Sequence, residues 1–385
     1  MDAAQRPAPL VAPASELSSE QSVRAQRQIV LPGFGEIAQR RLRAARVLVV
    51  GAGGLGSACV PYLVGAGVGT IGIVDDDRVE LSNLHRQVSH GTADIGRLKV
   101  ESLADTARAL DPGVTVIPHI ERLTSGSAPA IHAHYDLVID GSDNFPTRYL
   151  VADASELQGI PLVWGSLLQF YGQVGVSWRP EWPGYRDLFP APPAPEDVLD
   201  CGTGGVLPGL CGTIGSLLAT EALKLITGIG EPLLGRVLVF DGLTTRTREI
   251  AYAQDPHAAA ITGLIDYERF CAGPDPEPPS ISAEELVELW AAGDEPRLID
   301  VRTEEERARL RIAGAESLPL DDLERGDATV DGPVIVHCER DPRSIRASKL
   351  LIARGARQVQ FLRGGIQALA SVAPERLEGS TRDTL

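Results

Sequence analysis

The chain has 385 residues, 43% hydrophobic and only 5% aromatic, with a formal net charge of −16 at pH 7. That length exceeds one ordinary core and predicts two domains. The acidic balance excludes nucleic acid and anionic membrane as partners, because both require a basic face.

Residues 1–20, rich in Ala and Pro, read as a flexible arm with neither the basic start nor the apolar core of a signal peptide. No run of about 18 apolar residues follows, so no membrane span is expected and the cytoplasm is the expected compartment. A helical stretch runs to about Arg46, then Val47-Leu48-Val49-Val50 predicts a strand that breaks into Gly51-Ala52-Gly53-Gly54-Leu55-Gly56. Gly51, Gly53 and Gly56 fit GxGxxG, a tight turn whose backbone N–H groups approach phosphate at a helix N-terminus. A second strand, Thr70 to Val74, ends in Asp75-Asp76-Asp77, and Leu137-Val138-Ile139 ends in Asp140-Gly141-Ser142-Asp143-Asn144. Apolar strands alternating with helices predict a mainly parallel α/β sheet, with ligands at the strand C-termini.

Asp75, 19 residues past Gly56, is placed to hold a ribose hydroxyl. On these residues alone a dinucleotide fits as well as any other nucleotide. The polar run from Asp75 to Gln87 shifts the balance, because it sets Arg86, and then Lys99, where they can neutralise a triphosphate. Asp143 offers a carboxylate to magnesium. Hydride transfer needs neither feature, whereas nucleotidyl transfer depends on charge stabilisation and positioning.

Beyond Tyr171–Val176 come short strands, a Pro-rich loop at Phe189–Pro195, and a helix over Gly215–Thr227. The run Asp275-Pro276-Glu277-Pro278-Pro279 reads as a stiff linker. The expected divisions are an arm at 1–20, a nucleotide-binding domain at 21–255, a linker at 256–279, a second α/β domain at 280–372 and a tail at 373–385. In the second domain Ser282 and Glu285 make a capping box, and strands are expected at Arg297–Val301 and Val334–His337.

The five cysteines are odd in number and contain no CxxC pair, which points away from a disulfide framework or structural zinc. Cys59 and Cys211 fall in helical runs and read as buried and inert. Cys201 precedes the Gly-rich segment 202–205 and is a plausible exposed nucleophile. Cys338 follows a strand and opens a loop toward a helix expected near Ser344. Inward-pointing N–H groups and Arg343, five residues on, would favour a thiolate or persulfide anion there.

Arg27-Gln28-Ile29-Val30-Leu31, the glycine turn, SNLHRQ at 82–87, SDNFPTRYL at 142–150, and the segments 165–176 and 201–215 resemble the MoeB/ThiF family of ubiquitin-activating-like enzymes. The likeness runs from about residue 20 to 252. It implies that Gly51, Gly53, Gly54, Gly56, Asp75 and Asp77 cradle ATP, and that Asn83, Arg86 and Lys99 meet its phosphates. It further implies that Asp143, beside Asn144, holds Mg²⁺, and that Arg27 reaches the γ-phosphate from the partner subunit of a homodimer. Cys201 would link covalently to the activated carrier or its sulfur.

Ile299–Arg302, Ile312–Ala315 and Gly364–Ile366 around Cys338 resemble a rhodanese domain, and this domain order is that of MoeZ-type proteins. The implied partner is a ubiquitin-like sulfur carrier ending in Gly-Gly.

The chain departs from the family in two places. The two CxxC pairs that commonly hold zinc are replaced by Gly184-Tyr185-Arg186-Asp187 and Ala258-Ala259-Ala260-Ile261, so no structural zinc is expected. Glu339 and Asp341 set carboxylates beside Cys338, which should oppose thiolate formation and repel thiosulfate. Sulfur is therefore expected from a protein persulfide donor, a cysteine desulfurase or a sulfurtransferase. The expected reaction is ATP-dependent adenylation of the carrier's terminal glycine, then sulfur transfer to a thiocarboxylate. An NAD-dependent oxidoreductase and a non-catalytic scaffold are the alternatives.

Overall fold

The apolar run Val47–Val50 is a fully buried strand, and the first sheet is built outward from it. The computed structural model describes residues 7–193, 204–272, 277–326 and 328–379. The chain divides into two units, Met1–Gly273 and Pro274–Leu385.

In the first unit, strands β1 (Arg46–Val50), β2 (Thr70–Val74), β3 (Thr115–His119), β4 (Leu137–Asp140), β5 (Leu162–Leu168), β6 (Tyr171–Ser177), β7 (Arg236–Asp241) and β8 (Arg246–Ala251) make one sheet, ordered β3-β2-β1-β4-β5-β6-β7-β8. Strands β1 to β5 pair in parallel, and β5 to β8 pair antiparallel. The helices are α1 (Ser19–Ile29), α2 (Gly35–Ala44), α3 (Gly54–Ala66), α4 (Lys99–Leu110), α5 (Ala128–His132), α6 (Phe145–Gln158), α7 (Tyr185–Leu188), α8 (Pro208–Thr227) and α9 (Tyr267–Cys271).

Both faces of β1 are covered, which is why its sequence is continuously apolar rather than alternating. Val47 and Val49 join a core with Leu63, Ile73, Leu103 and Leu218. Leu48 and Val50 join a second core with Tyr149, Trp164, Tyr185 and Tyr267. Each such aliphatic side chain contributes roughly 1.5–3 kcal/mol on burial. Helix α8 packs tightly on α3: a Cβ on Gly215 would lie 2.6 Å from that of Ala58. Enclosure on most sides explains why α8 alone among the described helices is long and apolar enough to cross a membrane.

Three local expectations change. The single helical stretch to Arg46 is two helices, because Pro32 lacks an N–H and Gly33 takes φ +79°. The expected arm is partly docked: the Leu10 amide donates to Leu225 O (3.1 Å) and Ala14 N to Arg40 O (3.0 Å). The stretch expected as a linker carries α9, whose Tyr267 hydroxyl donates to Asp153 at 2.6 Å and whose side chain is buried in the first unit.

The second unit holds β9 (Ser280–Ile281), β10 (Leu298–Asp300), β11 (Arg311–Ile312), β12 (Glu316–Ser317), β13 (Val334–His337), β14 (Val359–Leu362) and β15 (Leu377–Glu378). Five form a parallel sheet, β12-β10-β13-β14-β9, while β11 and β15 make an antiparallel ribbon that takes in part of the expected tail. Its helices are α10 (Ala283–Ala291), α11 (Glu304–Arg309), α12 (Leu320–Arg325), α13 (Pro342–Ala353) and α14 (Gly365–Val372). The Ser282–Glu285 capping box forms at the start of α10.

Candidate functional site

The glycine turn closes on itself so tightly that side chains are excluded. A Cβ on Gly56 would lie 1.9 Å from Gly51 O, and Gly51 takes φ +94°. Gly51, Gly53 and Gly54 line a cavity of about 590 Å³ at the strand C-termini, whereas Gly56 packs behind them and serves the turn's geometry. Gly53 caps α3 without a side-chain hydrogen bond, which leaves the first-turn amides open to an anion. Asp75 braces the turn: its Oδ2 accepts from the Ala52 amide (2.7 Å) and its Oδ1 from the Asp77 amide (2.8 Å). Burial pushes the Asp75 carboxyl up from its ordinary range, opposed by the Ala52 amide and by Lys99.

Lys99 starts α4 with its side chain largely buried, and its Nζ donates to Asp77 Oδ2 at 2.6 Å. Asn83 sits in a short 3₁₀ turn, accepting from Glu80 N at 3.2 Å. Arg86 lies nearby, in contact with Ser82 O and the His85 ring. Across the cavity, β4 delivers Ser142 and an exposed Asp143, and Asn144 caps α6 by accepting from Thr147 N at 2.9 Å. One wall therefore carries cations around an uncapped helix N-terminus, and the other offers a carboxylate, a set that fits a nucleotide triphosphate and a hard cation. Asp75, Asp76 and Asp77 form a second carboxylate group whose oxygens lie within 4.8 Å of one another.

Arg27 is exposed on the last turn of α1 and does not line the cavity of its own chain. Cys201 lies outside the described residues. Cys211 is buried as expected, but it forms part of the cavity wall: a Cβ on Gly54 would lie 2.9 Å from its Sγ. His90 was not anticipated. Its Nε2 donates to Ala52 O at 3.0 Å, and its Nδ1 accepts from Ser102 Oγ at 2.8 Å, fastening the turn to α4. Burial pushes its pKa down, consistent with that neutral ring.

Around Cys338 the charges are arranged differently from expectation. The thiol is buried and donates to Arg340 O at 3.0 Å, with Ser344 Oγ at 3.5 Å, and among the described residues no inward-pointing amide donates to it. Arg343 does not offer free positive charge, because it makes a two-pronged pair with Glu306 at 2.7 and 2.6 Å. That pair holds the Glu306 carboxyl down to about 2. The loop carboxylates also have partners. Glu339 accepts from Arg302 (3.1 Å) and Gln367 (2.9 Å), and Asp341 accepts from Gly364 N. Their repulsion of a thiolate is thereby reduced.

Where the family commonly places zinc ligands, Asp187 accepts from Arg179, from Gly184 N (2.7 Å) and from Asp255 N (2.9 Å). Gln254 donates to Pro180 O and Trp182 O. These bonds tie segment 179–187 to segment 254–255 with donors that do not suit a tetrahedral zinc ion.

The ThiF family model matches residues 25–260, and a rhodanese-like domain model matches 282–371. This chain belongs to the ThiF family. Its relatives include the "Probable adenylyltransferase/sulfurtransferase MoeZ" of Mycobacterium tuberculosis, 44% identical over 94% of this chain and 96% of that one. A "Sulfur carrier protein adenylyltransferase" of Thermus thermophilus is 47% identical over 66% of this chain and 98% of that one. A crystal structure of E. coli MccB with AMPCPP and MccA superposes with a TM-score of 0.57 at 16% identity, over 67% of this chain and 76% of that one, a likeness of fold alone.

Proposed function

We propose that this ThiF-family chain uses ATP to adenylate the C-terminal glycine of a ubiquitin-like sulfur carrier protein, then passes sulfur to it from Cys338. The observation that carries this reading is the cavity itself, where an uncapped glycine turn, two cations and the Asp143 carboxylate converge. The MoeZ and sulfur-carrier relatives support it over hydride transfer.

The carrier's carboxylate oxygen attacks the α-phosphorus, the bond to the β-phosphate breaks, and pyrophosphate leaves. Asp75 holds the ribose, with Asp77 beside it. Asn83, Arg86 and Lys99 offset charge on the phosphates, and Arg27 reaches the γ-phosphate from the partner subunit of a homodimer. Asp143, beside Asn144, is the ligand for Mg²⁺, which when bound neutralises phosphate charge. The terminal persulfide sulfur on Cys338 attacks the acyl carbon and AMP leaves, giving an acyl disulfide. Cys201, the candidate second thiol, then attacks the Cys338 sulfur, the S–S bond to the acyl group breaks, and the thiocarboxylate leaves. An external dithiol reductant reduces the Cys201–Cys338 disulfide that remains. A cysteine desulfurase or sulfurtransferase persulfide supplies the sulfur, in the cytoplasm. Thiosulfate suits the loop poorly, since Arg343 is committed to Glu306.

The test is pyrophosphate exchange with a panel of carriers ending in Gly-Gly. Exchange that requires one carrier supports the reading. Nicotinamide cofactor binding without ATP binding would overturn it.

A further inference from the structure

Beside the glycine turn sits a polar group that the cradle described above does not use. Gln87 is 3% exposed and lines the cavity, with its Nε2 only 3.5 Å from where a Cβ on Gly53 would be. Its Oε1 is buried without a hydrogen-bond partner among the described residues. The backbone of Gln87 is satisfied, donating to Asn83 O (3.0 Å) and accepting from His90 N (3.1 Å). Its neighbours are also engaged: Arg86 with Ser82 and His85, and His90 with Ala52 and Ser102.

The desolvation penalty falls on Oε1, while Nε2 stands beside Gly53 at the cavity without a hydrogen bond to the described residues. Polar groups left open in this way concentrate where a ligand takes them up. Since neither end of this side chain is tied to the described protein, and the terminal amide torsion is soft, the ligand decides which end it meets. At the N-terminus of α3 a bound nucleotide presents phosphate oxygens, which only accept.

We propose that Gln87 is a nucleotide-positioning residue whose Nε2 donates to a phosphate oxygen of ATP beside Gly53. The proposal rests on the ATP reading above. Gln87 adds a neutral donor where Arg86 and Lys99 add charge, fixing orientation without changing the site's electrostatic balance.

Gln87→Met keeps the length and shape of the side chain and removes both hydrogen-bonding ends. ATP–Mg²⁺ affinity would be measured by calorimetry on the full chain, alongside the melting temperature of the ligand-free protein. The expected result is ATP binding about fivefold to tenfold weaker, on the order of 1 kcal/mol, with a ligand-free melting temperature equal to wild type or higher. A purely structural glutamine would instead lower that melting temperature. Wild-type affinity in the variant, or weaker binding that tracks a lower melting temperature, overturns the proposal. If the wild-type chain itself fails to bind ATP, the nucleotide reading falls and this contact with it.

Discussion

Lys99 Nζ and Asp77 Oδ2 meet at 2.6 Å, joining the N-terminus of α4 to the end of β2 across the mouth of the cavity. The lysine side chain is 8% exposed while the aspartate is 66% exposed, and both residues line the cavity. Such a pair stabilises the fold little. Lys99→Met is therefore expected to cost at most about 1 kcal/mol of stability. It should lower kcat/KM for pyrophosphate exchange by roughly 100-fold or more, as loss of a charge-stabilising donor does. Denaturant melts and exchange rates on the same preparation check both numbers, and equal losses in the two would count against a role at the phosphates.

The pair of Arg343 with Glu306 links the start of α13 to α11 across 37 residues of chain. Because it depresses the Glu306 carboxyl to about 2, its stabilisation is complete above the ordinary glutamate range near pH 4.5 and is lost as pH falls toward 2. Glu306→Gln should cost about 1–2 kcal/mol at pH 7, allowing for solvent screening, and almost nothing near pH 2. Urea melts at several pH values test this. A cost that does not change with pH would show that the charge is not what matters.

His132 has no hydrogen-bond partner for either ring nitrogen among the described residues and is fully buried beside α6. Burial drives its pKa down to about 4 from an ordinary value of 6.5. The unfolded chain therefore takes up a proton between pH 6.5 and 4 that the folded chain refuses, and stability falls across that window. His132→Leu should flatten the dependence of the melting temperature on pH between 6.5 and 4 and raise the melting temperature at pH 5. An unchanged slope would refute it.

Much of the first site is local in sequence and could be read there. The β-branched run of β1, the glycine spacing and the polar residues at the ends of β2 and β4 all lie within a few residues of the groups they position. The residues that were missed depend on distant chain. His90 gains its role only when segment 85–98 folds back against Ala52 and Ser102, and Gln87 only by arriving beside Gly53. The loop around Cys338 was misread for the same reason. Its own residues show two acids and two arginines, but Glu306, Arg302, Gln367 and Gly364 neutralise or engage all four from elsewhere. The break between α1 and α2 was legible in Pro32-Gly33. The expected linker begins too early because Tyr267 and Phe270 find their partners in α6, while the division between the two units falls within it, after Gly273.

The most direct test of adenylation followed by sulfur transfer is carrier-dependent pyrophosphate exchange in the wild type, Asp143→Ala and Cys338→Ala. The account predicts exchange with one Gly-Gly carrier that is abolished in Asp143→Ala and fully retained in Cys338→Ala, which then forms no thiocarboxylate. Undiminished exchange in Asp143→Ala, or its loss in Cys338→Ala, would contradict the division of labour between the two sites.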